Sequence, residues 1–197
     1  MSEIDSLLVY LKEFIELKPD EIDLLRNKTV KRKYLKGQFI VQQGDVCRHL
    51  NFVIKGCTRS YVVDDAGQEH IILFSVENWW TSDLGSFVSQ TPADFNIQCV
   101  EPTEVIQFGY DDLHFLYEAV PKLDKFFRML LEKALVASQK RIIRNFSLTA
   151  KDQYLAFKTL YPEIERRIPQ YMVASYLGIT KEFLSKIKSQ LILEQKC

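Results

Sequence analysis

The stretch from Gln170 to Ser189, QYMVASYLGITKEFLSKIKS, holds the most specific chemistry in the chain. Two helices that meet at a sharp angle need a small residue where they cross. They also need a permissive turn and apolar residues on both inner faces. Ala174 supplies the small residue, and Gly178 sits at the turn position where a side chain would be penalised. Val173, Leu177, Ile179, Leu184 and Ile187 fill the inward positions, and Thr180 is placed to cap the second helix. The outward face of that helix presents Lys181, Glu182, Ser185, Lys186 and Lys188. The pattern predicts a helix-turn-helix whose second helix suits the DNA major groove.

Other chemistries lack their residues. His49, His70 and His114 are scattered with no H-x-H pair, which argues against a cupin-type metal site and favours structural roles over haem ligation. Cys47, Cys57, Cys99 and Cys197 lie far apart with no C-x-x-C pair. They read as reduced thiols rather than a disulfide frame, a metal cluster or an iron–sulfur site. No motif pairs a nucleophile with a base, so the expectation is a non-enzymatic protein without a cofactor.

The charge distribution agrees with a polyanion partner. The 197 residues carry 26 Lys+Arg and 26 Asp+Glu, a net charge of zero. Residues 1–120 hold 11 basic against 19 acidic side chains, whereas residues 121–197 hold 15 against 7. An acidic body is thus joined to a basic C-terminal third. No run approaches the roughly 18 apolar residues of a membrane span. The acidic start, Met1 to Asp5, is unlike a secretory signal, so a cytoplasmic location is expected.

The elements that position these residues follow from periodicity. Ile4, Leu7, Leu8, Leu11, Phe14 and Ile15 repeat at helical spacing, and Pro19 opens a second short helix. From about Thr29 the period becomes two, in short runs such as 39–41, 50–54, 60–63 and 71–74, with turn signals every 8–12 residues. That spacing predicts an antiparallel barrel or roll ending near Phe108-Gly109. A long helix spans Pro121 to Phe146, where Leu123, Phe127, Leu130, Ala134 and Ala137 step like a coiled-coil seam. Thr149 to Asp152 then has the form of a capping box that starts another helix. The fold class expected is α+β: a jelly-roll-like sensor domain over 1–120, a dimerisation helix over 121–146 and an all-α helix-turn-helix domain over 147–197.

This order resembles the Crp–Fnr superfamily of regulators along nearly the whole chain. The runs Tyr34–Ile40 and Gln43-Gly44-Asp45 stand where that family has a glycine turn, and Leu50–Gly56 resembles its next strand and turn. The resemblance implies a homodimeric transcription factor. Its partners would be double-stranded DNA with a palindromic operator, a second copy of itself and RNA polymerase. It also implies that Lys181, Glu182 and Lys186 read bases, with Lys standing where the family usually has Arg. Gln170, Thr180, Ser185 and Lys188 then become phosphate contacts. With nine residues after Lys188, no β-hairpin wing is expected.

In cyclic-nucleotide-binding members of the family, a turn followed by an Arg holds the ligand. The corresponding segment here is Trp80-Thr81-Ser82-Asp83-Leu84, the candidate effector pocket. Ser82 replaces a close-approach glycine, and Asp83 shortens the ribose-binding glutamate. No Lys or Arg occurs between Arg59 and Lys122, an interval with 11 acidic residues. A phosphate site without a cation is physically unattractive, so the effector is expected to be something other than cyclic AMP. The alternatives are a regulator that binds cyclic AMP through a non-standard pocket, and a small-ligand signalling barrel without a DNA role. Of the adjacent pair Trp79 and Trp80, the reading favours two core aromatics over a pocket wall.

Overall fold

The structure, a computed structural model, describes residues 4–194; Met1 to Glu3 and Gln195 to Cys197 lie outside it. Two short helices, α1 (Asp5–Lys12) and α2 (Pro19–Asn27), precede the strands, and Pro19 occupies the first turn of α2 where a missing N–H costs nothing. Eight strands follow: β1 (Thr29–Tyr34), β2 (Phe39–Val41), β3 (His49–Lys55), β4 (Thr58–Val63), β5 (Glu69–Ser75), β6 (Trp80–Thr81), β7 (Asn96–Cys99) and β8 (Thr103–Gly109). A short helix, α3 (Leu84–Ser89), interrupts them after β6. They form two antiparallel four-stranded sheets, in the orders β1-β8-β3-β6 and β2-β7-β4-β5. Gly56, at φ +107°, makes the β3–β4 turn; a Cβ there would lie 2.5 Å from Thr103 Oγ1. Only glycine fits that turn.

The helical half begins with α4 (Tyr110–Ala119) and α5 (Pro121–Ser147). It continues with α6 (Ala150–Leu160), α7 (Pro162–Arg167), α8 (Gln170–Tyr176) and α9 (Lys181–Glu194). Thr149 caps α6 as its sequence predicts, its side chain accepting from the Asp152 amide.

Two cores hold these layers. In the first, Phe52, Ile106 and Phe108 of one sheet pack against Leu7, Leu11, Leu116 and the start of α5. Phe126 and Phe127 lie edge-on, 5.1 Å apart, and Trp80 stands 4.9 Å from Phe127. Each buried aromatic of this kind contributes on the order of 2–3 kcal/mol. The second core crosses the 146–147 boundary: Cys57, Tyr61, Ile71 and Phe74 of the roll share it with Tyr154, Phe157, Val173 and Leu184.

The seam drawn along α5 is corrected by this packing. Leu123 and Phe127 are buried in the roll's own core, and Leu130 is half-buried against it, whereas Ala134 and Ala137 are exposed. A helix face covered by its own domain is unavailable to a second copy. The large apolar side chains left exposed on α5 include Leu131, Leu135, Ile142 and Phe146. At 3.6 residues per turn they lie about a quarter-turn round the axis from Leu123 and Phe127.

Candidate nucleic-acid interface and effector pocket

The reading head forms as its residues dictate. Ala174, 2% exposed, lies at the crossing of α8 and α9 with Val173, Leu184 and Ile187 buried around it. Gly178 adopts φ +68°, and the amides of Gly178 and Ile179 return to the carbonyls of Ser175 and Ala174 at 3.1 and 3.0 Å. That is a Schellman close to α8, which requires a left-handed residue at Gly178. Thr180 Oγ1 accepts from the Phe183 amide at 3.1 Å, so α9 starts where its cap predicts. Lys181, Glu182, Ser185 and Lys186 are exposed on α9, and among the described residues no ion pair joins Glu182 to Lys186.

Two of the four expected phosphate contacts stand differently. Thr180 and Ser185 are exposed, but Lys188 Nζ turns inward, donating to Gln170 Oε1 at 3.0 Å and pairing with Glu165 at 3.4 Å. It also stands 5.7 Å over the Tyr154 ring. Lys188 and Gln170 therefore tie α9 to α7 and α8 and do not present a free cation to DNA. The helical stem that brings Lys188 back beside Glu165 is invisible to a one-helix reading.

The head is fastened to the roll by polar links that the sequence does not advertise. Ser175 Oγ donates to the Glu69 carbonyl at 2.8 Å and accepts from the Ile71 amide at 3.0 Å, taking up exposed edge groups of β5. Arg167 forks onto Glu77 at 2.7 and 3.0 Å and also pairs with Glu101. Arg141 donates to the Ile72 carbonyl and lies 4.4 Å over the Tyr176 ring. Burial would push the Glu77 carboxyl up, but the Arg167 fork and the Gly56 amide outweigh it and hold it below the ordinary range. Trp79, edge-on to Tyr161 at 5.8 Å, sits at the same joint.

The proposed effector segment is corrected as well. Trp80 is part of the aromatic core rather than a pocket wall, Thr81 is buried on β6, and Ser82 Oγ donates to the His49 carbonyl at 3.0 Å. Asp83 is 2% exposed. Its two carboxylate oxygens accept from the Ser86 amide at 3.0 Å and the Asp94 amide at 2.8 Å. These two bonds tie the first turn of α3 to the loop before β7, so the Asp83 carboxylate is engaged by its own segment. Leu84 is exposed on α3. The wide cleft of the roll is lined instead from β1, β2 and the start of β3, and includes none of residues 80–84.

The remaining chemical candidates are engaged elsewhere. Arg59 is buried, bridging Gln98 and Glu69 beneath the head. His70 pairs with Asp64 at 2.7 Å and His114 with the Tyr110 carbonyl at 2.8 Å. Burial raises the Cys47, Cys57 and Cys99 thiols, Cys57 to about 12, which keeps these sulfurs protonated and unreactive. Among the described residues no helix is long and apolar enough to cross a membrane.

Comparison with known proteins agrees with this architecture. Residues 31–119 match the family model of the cyclic nucleotide-binding domain. The anaerobic regulatory protein of Haemophilus influenzae is 24% identical over 185 residues, covering 87% of this chain and 70% of its own length. The fumarate and nitrate reduction regulatory protein of Vibrio cholerae is 25% identical over 87% of the chain and 72% of its own length. Among solved structures, FixK2 from Bradyrhizobium japonicum superimposes with a TM-score of 0.71 at 17% identity, over 85% of this chain and 86% of its own. The roll is thus joined through the long helix to the helix-turn-helix. The chain shares this fold with FixK2, and the relatives it matches are named as regulatory proteins.

Proposed function

We propose that the chain is a homodimeric, sequence-specific DNA-binding transcription regulator of the cytoplasm, responding to an effector other than cyclic AMP. The observation that carries this reading is the exposed strip of Lys181, Glu182, Ser185 and Lys186 on a helix locked in place by Ala174 and Gly178. Glu182 is suited to accept from cytosine N4, and Lys181 and Lys186 to reach guanine O6 and N7. Thr180 and Ser185 serve phosphates at the edge of the groove. Residues 1–120 act as the sensor, 121–146 as the dimer helix and 147–197 as the reader, with a palindromic operator and RNA polymerase as partners. The Asp83 carboxylate, buried and seated on the Ser86 and Asp94 amides, speaks against a second anion in the segment 80–84.

The stripe of Leu131, Leu135, Ile142 and Phe146 supports the dimer, since Leu135 is 61% and Phe146 89% exposed. Repeats at this spacing are buried when a second helix covers them. Replacing Leu135 by Glu is expected to turn a dimer into a monomer in sedimentation; an unchanged species means that the stripe is not the interface. Enrichment of random duplex DNA on the purified chain tests the central reading. The expected product is a palindrome with half-sites about 34–36 Å apart, and recovery of unenriched DNA refutes it.

A further inference from the structure

β1 is an edge of one sheet and β2 an edge of the other, and between them the roll gapes. The cleft there has a volume of about 800 Å³ and is lined by Arg32, Tyr34, Arg48, His49, Asn51 and Gln107 among others. Sites for nucleotide-sized molecules fall in the range of roughly 300–1,000 Å³. None of residues 80–94 lines it, although Asn51 and the His49 carbonyl meet Ser82 at its inner end.

Its chemistry runs against that of the surrounding domain. The roll is acidic overall, yet Arg32, Lys33 and Arg48 line the cleft against one carboxylate, Asp45. Lys33 is engaged by Glu104 at 3.3 Å. Among the described residues neither Arg32 nor Arg48 has an ion-pair or hydrogen-bond partner. Two guanidinium forks facing one opening are a recognition geometry for oxyanions. His49, beside them, is held below its ordinary value by burial and then by these two arginines.

The floor is polar where a roll interior is ordinarily aliphatic. Gln107 Nε2 donates to Asn51 Oδ1 at 2.8 Å and to Tyr34 Oη at 3.2 Å. Asn51 is 1% and Gln107 7% exposed. The side-chain oxygen Gln107 Oε1 accepts from none of the described residues, which leaves it available to a ligand that donates a hydrogen bond.

We propose that this cleft binds a small organic anion of nucleotide size or less. Its phosphate or carboxylate is held by Arg32 and Arg48, and its polar body rests on the Tyr34–Gln107–Asn51 floor. The inference goes beyond the regulator reading, and its readout is ligand binding by the free chain, so it stands or falls separately from DNA recognition.

The test is isothermal titration of the full chain with pyrophosphate, citrate and guanosine 5′-monophosphate at constant ionic strength. Saturable binding of at least one probe is expected. Pyrophosphate and citrate separate phosphate from carboxylate recognition, and the nucleotide reports whether the floor accepts a ring. The double variant Arg32→Gln, Arg48→Gln is expected to weaken binding by about tenfold or more, the loss of charge-assisted hydrogen bonds. Asp45→Asn is expected to tighten it, and Lys36→Gln, on the turn outside the cleft, to leave it unchanged. Absence of saturable binding by all three probes overturns the proposal, as does wild-type affinity in the double variant or an equal loss in Lys36→Gln. Where the double variant lacks a melting transition, Asp45→Asn decides: unchanged or weaker binding overturns the proposal.

Discussion

α3 and α9 both begin with a capping oxygen, and the two caps serve opposite ends. At α3 the cap is Asp83, buried, with both oxygens committed to amides of its own loop. At α9 the cap is Thr180, an exposed hydroxyl that takes one amide and leaves Lys181, Glu182 and Lys186 facing solvent. A helix start becomes a binding surface only where the chain leaves its polar groups free. The first is sealed by its own carboxylate; the second is open to an external polyanion.

The sharpest way to break this contrast is to remove each cap. Asp83→Ala strands two buried amides and is expected to cost about 2–3 kcal/mol in denaturant unfolding. Thr180→Ala is expected to cost about 1 kcal/mol. Equal costs would mean that the start of α3 is no more closed than that of α9.

Free groups should do the reverse. Glu182→Ala and Lys186→Ala are expected to change fold stability by less than about 0.5 kcal/mol. On the preferred duplex they are expected to lose about 1–3 kcal/mol, with relaxed choice at one base pair. Lys188→Ala, by its bonds to Gln170 and Glu165, is expected to lower the melting temperature and leave the salt slope of DNA binding intact. A salt slope reduced by about 1 would return Lys188 to the phosphate contacts.

Acid should separate the two regions. Glu77, held low by Arg167, contributes fully above the ordinary glutamate value of about 4.3 and progressively less as the pH falls through its lower folded value. The joint between roll and head is thus expected to loosen below about pH 4, read by the fluorescence of Trp79. Arg167→Ala should flatten that transition; an unaltered profile would remove Glu77 from the joint. The smallest expected effect is none: cyclic AMP at millimolar concentration leaves the melting temperature unmoved. Ligand at ~100 times its dissociation constant would add roughly 2.7 kcal/mol, so a saturable shift would show that the segment around Asp83 opens.

What the sequence determined by itself was local. Turn glycines, proline-opened helices and period-two runs marked the strands of the roll and α5 close to their observed bounds, because backbone preference and amphipathic spacing act over a few residues. The helix-turn-helix was legible for the same reason: Ala174, Gly178 and the inward apolar set all act within one hairpin. Partner choice was not legible. Periodicity announced that Leu123 and Phe127 would be covered, but the roll covers them, and the face left over is Leu131 to Phe146. Asp83 read as a weakened ribose ligand until the fold brought the Asp94 amide to its carboxylate. Lys188 read as a DNA contact until Glu165 and Gln170 came beside it. Arg32, the middle of the basic run Lys31-Arg32-Lys33 on β1, carried no signal that set it apart from its neighbours. Each of these depends on groups far apart in the chain, and only tertiary packing decides which of them meet.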